Sequence, residues 1–322
     1  MSDRIFQDIK ILNTGEIKNL ISMGEAINAM EQAFASFSDG TSQVPQRFVS
    51  GFNNLDLFFK PAYNEELGRV AVKIITQKKD RNLQGVPTIL GVVLLLDIKT
   101  GAILSMMDGA YITALRTGAA GGIATKLLAR KDAETVAVFG CGAQGKTQLE
   151  STCLVRPIKR ILLYDLNKDA ANKFKKEMEG KLNISMQVEK NLEHLKQADI
   201  ICMATNSEKP LISQKDISKG VHINAIGSYK PNMQELDPLI IKEGKFFVDS
   251  RESVLNESGD LIKPISEHIF TDNVIEAEIG ELINKKVLGR QHDDAITIFK
   301  SVGLGVQDLF AANTIFEKYC KK

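Results

Sequence analysis

Three glycines in the spacing G-x-G-x-x-G, Gly140, Gly142 and Gly145, are the first residues whose types and spacing predict chemistry. They follow the apolar, β-branched run Thr135–Phe139, which predicts a buried strand, and they precede Lys146–Leu154, which predicts a helix. The first glycine would permit a tight turn, the second would let the backbone approach a pyrophosphate, and the third would let the helix pack closely on the strand. The helix N-terminus would then face the phosphates.

An acid at the end of the next strand completes this pattern. The apolar run Ile161–Tyr164 ends in Asp165, 20 residues after Gly145, where a dinucleotide-binding fold has the acid that binds the adenosine ribose. The order of strand, glycines, helix, strand and acid therefore predicts a site for NAD(H). NADP(H) would also be accepted, because Lys168 could contact its 2′-phosphate. The alternative is a nucleotide-free α/β turn with an acidic loop residue.

Three cations in the N-terminal part of the chain predict an anion site. Lys73 lies in VAVKIIT, with apolar residues on both sides, and a charge in a buried strand is unfavourable unless it faces a site or a partner. Arg116 lies near the start of a helix of small residues ahead of the glycine motif, and Arg47 follows Pro45-Gln46 at the opening of a predicted sheet. Cations beside a nicotinamide would hold a carboxylate. Arg47 taken alone is better interpreted as a surface charge, whereas the context of the other two favours a site.

Other charged residues are weaker candidates. The run His292-Asp293-Asp294 could form a metal site or a relay, but a solvated loop is the better interpretation, and His222 is interpreted as a structural residue. Asp308 and Glu278 remain open between partners of the site and ordinary helix charges. The histidines lack ligand spacing, so no metal site is predicted. The cysteines lack C-x-x-C pairing and fit reduced thiols in a cytoplasmic protein.

The elements that would position the cations form an α+β region. A helix is predicted over Met23–Phe37, closed by Asp39-Gly40. Short strands separated by turn-like segments then predict a largely antiparallel sheet. These strands are Arg47–Val49, Leu55–Phe59, Val70–Thr76, Gly91–Leu96 and Ala102–Met107. The helix Ile112–Ala129 contains so many glycines and alanines that another element or a ligand is expected to approach it closely.

The glycine motif opens a region in which strands alternate with helical segments. The further helices are Lys168–Glu179 and Glu193–Gln197, and the further strands are Ile184–Val188, Asp199–Ala204, Val221–Gly227, Phe246–Asp249 and Ala295–Phe299. This alternation predicts a Rossmann-type, doubly wound parallel sheet. A last amphipathic helix, Val306–Tyr319, is expected to return to the first domain.

Composition excludes several classes of protein. The 322 residues allow two domains, and the formal net charge of +1, from 41 Lys+Arg against 40 Asp+Glu, gives no field that would recruit nucleic acid or a membrane. The first ten residues lack the apolar core of a signal peptide, and the longest apolar run, Ile89–Leu96, is too short to span a bilayer. We therefore expect a cytoplasmic protein that binds neither nucleic acid nor membrane.

Six blocks of sequence resemble the ornithine cyclodeaminase/μ-crystallin family, and the resemblance covers about Arg47 to Asn313. They are Val72-Lys73-Ile74, Pro87-Thr88 before GVVLLLD, TALRTGAAGGIATKLLAR at Thr113–Arg130, VFGCGAQG at Val138–Gly145, INAIGSYKPNMQELD at Ile223–Asp237, and TIFKSVGLGVQD at Thr297–Asp308. The resemblance implies a dinucleotide-binding domain at 116–303. It also implies a substrate and dimerisation domain at 1–115, completed by 304–322, through which two copies form a homodimer.

The resemblance also implies roles for individual residues. Arg47, Lys73 and Arg116 would hold the carboxylate of a small imino-acid or amino-acid substrate, Lys73 would manage a proton, and Thr88 would line the same pocket. The residues expected to bind the dinucleotide are Thr117, Gly140, Gly142, Ala143, Gln144, Gly145 and Asp165, with Ser301 near the nicotinamide.

One departure from the family pattern concerns Ser228. Ornithine cyclodeaminases have an aspartate there, and a serine cannot act as a carboxylate base. Members with this serine resemble reductases of cyclic imino acids, namely Δ1-pyrroline-2-carboxylate, Δ1-piperideine-2-carboxylate and ketimine reductases. The expected reaction is therefore imine reduction by NAD(P)H. The alternatives are ornithine cyclodeaminase, alanine dehydrogenase, and a protein that binds a dinucleotide or another small ligand without turnover.

Overall fold

The computed structural model describes residues 9–79 and 88–322, and in it the chain divides into two compact units. Met1–Arg116 and Leu304–Lys322 form what we call the N-terminal unit, and Thr117–Gly303 form the central unit. The first eight residues, and Pro87 of one family block, lie outside the described residues.

Strands and helices are numbered separately along the chain. The strands are β1 Lys10–Leu12, β2 Ser42–Gln43, β3 Phe48–Gly51, β4 Leu55–Asn64, β5 Arg69–Lys78, β6 Ile89–Asp97, β7 Ile103–Asp108, β8 Thr135–Phe139, β9 Arg160–Tyr164, β10 Met186–Val188, β11 Ile200–Met203, β12 His222–Ala225, β13 Lys245–Val248, β14 Ile275–Glu278 and β15 Thr297–Lys300. The helices are α1 Thr14–Lys18, α2 Met23–Ser38, α3 Gly109–Leu128, α4 Ala143–Val155, α5 Lys168–Leu182, α6 Pro238–Glu243, α7 Arg251–Glu257, α8 Gly259–Ser266, α9 Ile279–Ile283 and α10 Gly305–Cys320.

The N-terminal unit is built on a sheet with the strand order β1-β7-β6-β5-β4-β2, in which β3 also pairs with β4. Every pair is antiparallel except β1 with β7, which confirms the predicted, largely antiparallel sheet. In β4 and β5 alternate residues are buried, and α10 packs against both strands and against α2. The C-terminal helix therefore covers the face of the sheet that carries Lys73.

Helix α2 agrees closely with its prediction. Ser22 Oγ accepts a hydrogen bond from the N–H of Glu25, and the Glu25 carboxylate accepts one from the N–H of Ser22, so the helix begins with a capping box. The apolar residues at helical spacing are buried. After Asp39, Gly40 turns the chain with φ +82°, a conformation that favours glycine.

The central unit holds an eight-stranded sheet with the order β10-β9-β8-β11-β12-β15-β13-β14, in which every pair is parallel. Residues of β8 alternate between two cores: Val136 and Val138 lie in one, and Ala137 and Phe139 lie in the other. Such burial on both faces is the signature of a parallel sheet with helices on each side. The predicted doubly wound fold is thus confirmed.

Some predicted boundaries were wrong. The helix expected over Glu193–Gln197 is a single 3-10 turn, Leu195–Gln197, too short to form an α-helix. Strand β4 does not end at Phe59 but continues to Asn64, because its pairing with β5 continues through Pro61. Strands β1, β2 and β14 and the short helices α6 to α9 were not predicted, because segments of two to eight residues carry too little periodicity.

Candidate functional site

A buried cluster of charges lies where β5, α3 and the first turn of α10 meet in the N-terminal unit. Lys73 Nζ is 2.7 Å from the Asp308 carboxylate and donates to Thr113 Oγ1 at 3.1 Å. Arg116 Nε lies 3.3 Å from the same carboxylate. All three charged side chains are at least 95% buried. Asp308, which the sequence left open, is therefore the partner of both predicted cations.

Two more cations belong to this cluster. Lys60 pairs directly with Lys73 in the register of β4 and β5, on the same buried face of the sheet. Burial, together with the like charges of Arg47, Lys73 and Arg116, holds the pKa of Lys60 well below its ordinary value. Arg47 also lowers the pKa of Lys73, and its guanidinium lies 5.7 Å from the centre of the Phe58 ring.

The protonation of the cluster follows from its burial and its charges. Burial lowers the pKa of Lys73 to about 8, although the charge of Asp308 opposes the effect. Burial also acts against ionisation of Asp308, but the charges of Lys73 and Arg116 outweigh it, and its pKa is lowered. Asp308 is thus a carboxylate between two cations. A group such as Lys73, with a pKa near neutral, can both attract an anion and exchange a proton.

The three glycines of the motif differ in what requires them. Gly140 has φ +92°, and a Cβ there would lie 2.5 Å from the carbonyl oxygen of Ala204. A Cβ on Gly145 would lie 2.1 Å from the carbonyl oxygen of Gly140. At Gly142 the backbone is ordinary, and a Cβ would meet nothing within 4 Å. The fold therefore requires the first and third glycines, whereas the second leaves space for a ligand at the start of α4.

Asp165 lies at the carboxyl end of β9, beside this turn. Its carboxylate accepts hydrogen bonds from the N–H groups of Cys141 at 2.7 Å and Asn167 at 2.8 Å. The strand order reverses between β8 and β11, and open α/β sheets bind their ligands at such a point. The space at Gly142, the free N-terminus of α4 and this acid fit a dinucleotide bound across the carboxyl ends of the strands.

The small residues of α3 permit close packing against α4, as expected. A Cβ on Gly118 would lie 2.5 Å from Thr147 Cβ, and one on Gly121 would lie 2.0 Å from Gln148 Oε1. The Gln148 side chain donates to the carbonyl oxygen of Thr117 at 2.8 Å. Thr117 is thereby attached to α4, whose first two residues are the predicted dinucleotide-binding residues Ala143 and Gln144.

Ser228 is fully buried in the central unit. Its hydroxyl donates to the carbonyl oxygen of Met233 at 2.8 Å and lies 3.3 Å from Ser258 Oγ. Its N–H group donates to Glu235 at 3.2 Å. At the position where ornithine cyclodeaminases have an acid, this chain therefore has a serine hydroxyl that is hydrogen-bonded to its own loop.

Glu235 and Asp260 organise this loop. Glu235 belongs to the family block Ile223–Asp237 but was given no role from the sequence, and Asp260 was not identified. Glu235 accepts hydrogen bonds from Thr205 and from the N–H of Gly227, each at 2.7 Å, and burial raises its pKa. Asp260 accepts from the N–H of Glu235 at 2.7 Å and forms a fully buried ion pair with Lys300 at 2.9 Å. Thr205 lies 30 residues from Glu235 in the chain, and Glu235 and Lys300 lie 25 and 40 residues from Asp260, separations that a local sequence pattern does not show.

Ser301 follows β15 and is buried. Its hydroxyl donates to Asp249 at 2.6 Å, and the same carboxylate accepts from the N–H groups of Val302 at 2.9 Å and Gly303 at 2.8 Å. Burial raises the pKa of Asp249. Asp249, which was not identified from the sequence, therefore fixes the segment that carries Ser301.

The remaining candidates lie in ordinary environments. Thr88 is half-buried in the bend before β6, where its carbonyl oxygen accepts from the N–H of Lys78 at 2.9 Å. His222 is buried and bonded to Thr297 and Asn224, as its structural interpretation required. Glu278 ends β14 and is a half-buried acceptor for the N–H of Arg251, not a helix surface charge.

The run His292-Asp293-Asp294 lies in an exposed loop, as expected. Residues 9–79 and 88–322 contain no group of three or more histidine, cysteine or acidic side chains arranged to hold a metal ion. In the same part of the chain, no helix combines the length and the apolar character that crossing a membrane requires.

Comparison with known proteins gives the family of the chain. The model of the ornithine cyclodeaminase/mu-crystallin family matches residues 7–322. A Δ1-pyrroline-2-carboxylate reductase of Bacillus thuringiensis is 38% identical over 312 residues, which are 96% of each chain. An alanine dehydrogenase of Archaeoglobus fulgidus is 37% identical over 97% of this chain and 95% of its own. The solved structure of Thermococcus litoralis Δ1-pyrroline-2-carboxylate reductase with NADH and L-proline has a TM-score of 0.94 and 39% identity, and covers 97% of this chain and 98% of its own.

Proposed function

Since the chain belongs to the ornithine cyclodeaminase/mu-crystallin family, we propose that it is a NAD(P)H-dependent reductase of small cyclic imino acids. The first substrate is Δ1-pyrroline-2-carboxylate, reduced to L-proline, and the second is Δ1-piperideine-2-carboxylate, reduced to pipecolate. The bacterial and archaeal relatives named for the first reaction support this choice over nearly their full length.

The observation that carries the proposal is the buried cationic cluster. An imino acid has its carboxylate on the carbon of the C=N bond that accepts the hydride. Arg116 and Lys73, both fixed by Asp308, are suited to hold that carboxylate. Holding it would fix the reacting carbon in space, so that orientation supplies part of the rate enhancement.

The cofactor and the protein would supply different parts of the reaction. NAD(P)H, when bound, supplies the hydride. The turn at Gly142 and the N-terminus of α4 would hold its pyrophosphate, and Asp165 would accept hydrogen bonds from the ribose hydroxyls. Lys73, directly or through a water molecule, would give the proton that the imine nitrogen needs as the C=N bond becomes an amine. A pKa of about 8 suits this step, because Lys73 is protonated in most of the protein molecules at neutral pH.

Alanine dehydrogenase is the second candidate, favoured by the Archaeoglobus fulgidus relative. Both reactions reduce a C=N bond beside a carboxylate, but in alanine formation the imine arises from pyruvate and ammonia. Cyclodeamination receives less weight, since Ser228 supplies no carboxylate and its hydroxyl donates to Met233. Binding without turnover also receives less weight, because Lys73 offers a proton at neutral pH.

A substrate panel with purified protein tests the proposal. The candidates are Δ1-pyrroline-2-carboxylate, Δ1-piperideine-2-carboxylate, and pyruvate with ammonium, each followed by the loss of NADH or NADPH absorbance. Ornithine with NAD⁺ is assayed for released ammonia. We expect the two cyclic imines to have the highest kcat/KM. Faster pyruvate amination would favour alanine dehydrogenase, and ammonia release comparable to imine reduction would favour cyclodeaminase.

The proposal extends to assembly and location. We propose a homodimer formed through the N-terminal unit, where Phe48, Val49 and Phe52, on and beside β3, expose apolar side chains. A solved archaeal alanine dehydrogenase described as a dimer, 36% identical, supports this assembly. Light scattering at several protein concentrations would test it, with a monomeric mass as the contrary result. The four free cysteines fit a cytoplasmic location, which cell fractionation would test.

A further inference from the structure

Gln307, in the first turn of α10, is fully buried beside the cationic cluster. Its Oε1 accepts two hydrogen bonds, from Arg116 Nη1 at 2.8 Å and from the N–H of Leu304 at 2.7 Å. Both partners are donors that cannot accept, so they decide which end of the amide is the oxygen. The position of the Nε2 amino group is fixed as a consequence.

This amino group has no hydrogen-bond partner among the described residues. An unpaired donor in a buried position is unfavourable, and most such groups in folded proteins are paired. Arg116, to which the amide is bonded, is the arginine proposed to hold the substrate carboxylate. The unpaired donor therefore lies beside the group expected to bind an anion.

The presence of glutamine rather than glutamate at position 307 also indicates that an anion binds near Nε2. A glutamate at 307 would supply the same acceptor oxygen to Arg116 and Leu304, and its charge would strengthen the bond to the guanidinium. It would also be more favourable than glutamine in the first turn of a helix. Glutamine keeps the acceptor but offers a donor where glutamate would have a second anionic oxygen. A second carboxylate beside Asp308 would repel an incoming anion, whereas the amide donor of glutamine can bind one.

We propose that Gln307 is a substrate-binding residue whose Nε2 donates a hydrogen bond to the carboxylate held by Arg116. The inference rests on the proposed function, since it names a contact for the same carboxylate. Asp308 holds the two cations from one side, and the amide supplies a neutral donor that orients the incoming anion without adding charge.

Two substitutions test the contact. Gln307→Glu keeps the acceptor for Arg116 and Leu304 but replaces the donor with a carboxylate oxygen, whereas Gln307→Met removes both polar groups at similar length. Gln43→Glu, on an exposed strand of the same unit, makes the same amide-to-acid change away from the cluster. For each protein, KM and kcat are measured with Δ1-pyrroline-2-carboxylate. Calorimetry measures the binding of L-proline and of L-prolinamide, which lacks the negative charge, and fluorescence measures NADH binding.

We expect Gln307→Met to raise KM about tenfold to a hundredfold, the effect of losing a hydrogen bond to a charged group, with little change in kcat. Gln307→Glu should weaken L-proline binding at least as much, but should weaken L-prolinamide binding less, because the new carboxylate can accept from the amide of that ligand. NADH binding by Gln307→Glu, and catalysis and ligand binding by Gln43→Glu, should match the wild type.

The outcomes separate this inference from the proposed function. A wild type that reduces the imine while Gln307→Glu binds L-proline unchanged would overturn the inference alone. Equal weakening of L-proline and L-prolinamide binding would also overturn it, since that result indicates a role in shape rather than in carboxylate recognition. A wild type that neither reduces the imine nor binds L-proline would overturn both.

Discussion

Asp308→Asn is the change that tests how the cationic cluster handles a proton. The amide keeps the size of the side chain and one acceptor oxygen, but it removes the negative charge 2.7 Å from Lys73 Nζ. Burial and the like charges of Arg116 and Arg47 lower the pKa of Lys73 to about 8, and the charge of Asp308 opposes them. Lys60, on β4, is a further cation of the same cluster, and Thr113 accepts a hydrogen bond from Lys73.

The size of the effect follows from the hydrogen bond that loses its charge. Such a bond contributes about 1.5–3 kcal/mol, and one pKa unit corresponds to about 1.36 kcal/mol, so the pKa of Lys73 should fall to about 6–7. Lys73 can give a proton only while protonated, and kcat/KM therefore decreases above its pKa. At about pH 9 the variant should be roughly tenfold to a hundredfold slower than the wild type, and near pH 5 the two should converge.

The assay is the pH profile of kcat/KM for imine reduction, which reports on the free enzyme. Ionisation of the substrate affects both proteins equally, so the difference between the profiles isolates the enzyme group. Asp97→Asn is the matched control, because Asp97 pairs with Arg69 at 3.3 Å in the same unit but outside the cluster. A basic limb that stays in place, or moves to higher pH, in Asp308→Asn would refute the assignment of the proton to Lys73.

Three further predictions concern the central unit. Gly142→Val should leave thermal unfolding nearly unchanged, because a Cβ there would lie more than 4 Å from every described protein atom outside its chain neighbours, but should abolish NADH binding measured by fluorescence; tight binding by the variant would show that the pyrophosphate lies elsewhere. Asp165→Ser should shift the ratio of kcat/KM for NADH and NADPH toward NADPH, since the carboxylate repels the 2′-phosphate; a constant ratio would exclude contact with the ribose. Ser228→Asp should lower the free energy of unfolding by about 2 kcal/mol in denaturant titration, because it puts a carboxylate against the Met233 carbonyl and Glu235; unchanged stability would mean that the loop adapts.

The dinucleotide part of the candidate site could be predicted from the sequence because backbone groups form the phosphate-binding turn. A turn that approaches phosphates needs glycine at fixed intervals, and an acid must end the neighbouring strand, so the whole signal fits within 31 residues from Thr135 to Asp165. The structure agrees with the separate roles expected of the three glycines. Gly140 and Gly145 are required by packing and backbone geometry, whereas Gly142 is not.

The network of buried acids in the central unit could not be predicted from a local sequence pattern. Glu235, Asp249 and Asp260 each have polar or charged residues within two positions in the chain, so a sequence pattern does not separate them from surface residues. Burial raises the pKa of Glu235 and of Asp249, and their partners include the backbone N–H groups of Thr205 and Val302, in loops 30 and 53 residues away in the chain. The pairing of those loops depends on the parallel sheet as a whole, so it could be found only in the folded chain.

The site proposed for the substrate carboxylate could be predicted from the sequence only in part. Lys73 was conspicuous because apolar residues surround it, and Arg116 because of the small-residue helix that contains it, although α3 begins at Gly109 and not near Arg116 as predicted. Lys60 and Gln307 gave no such signal. The structure identifies Lys60 because the strand register pairs it with Lys73. It identifies Gln307 because the first turn of α10 brings this residue to Arg116, 191 residues away in the chain. Side chains that jointly bind one small anion can come from any distance in the sequence, because only their tips must converge, whereas a phosphate-binding turn must be continuous in the chain. The carboxylate end of the proposed substrate is therefore the part of this protein's specificity that depends most on its tertiary structure.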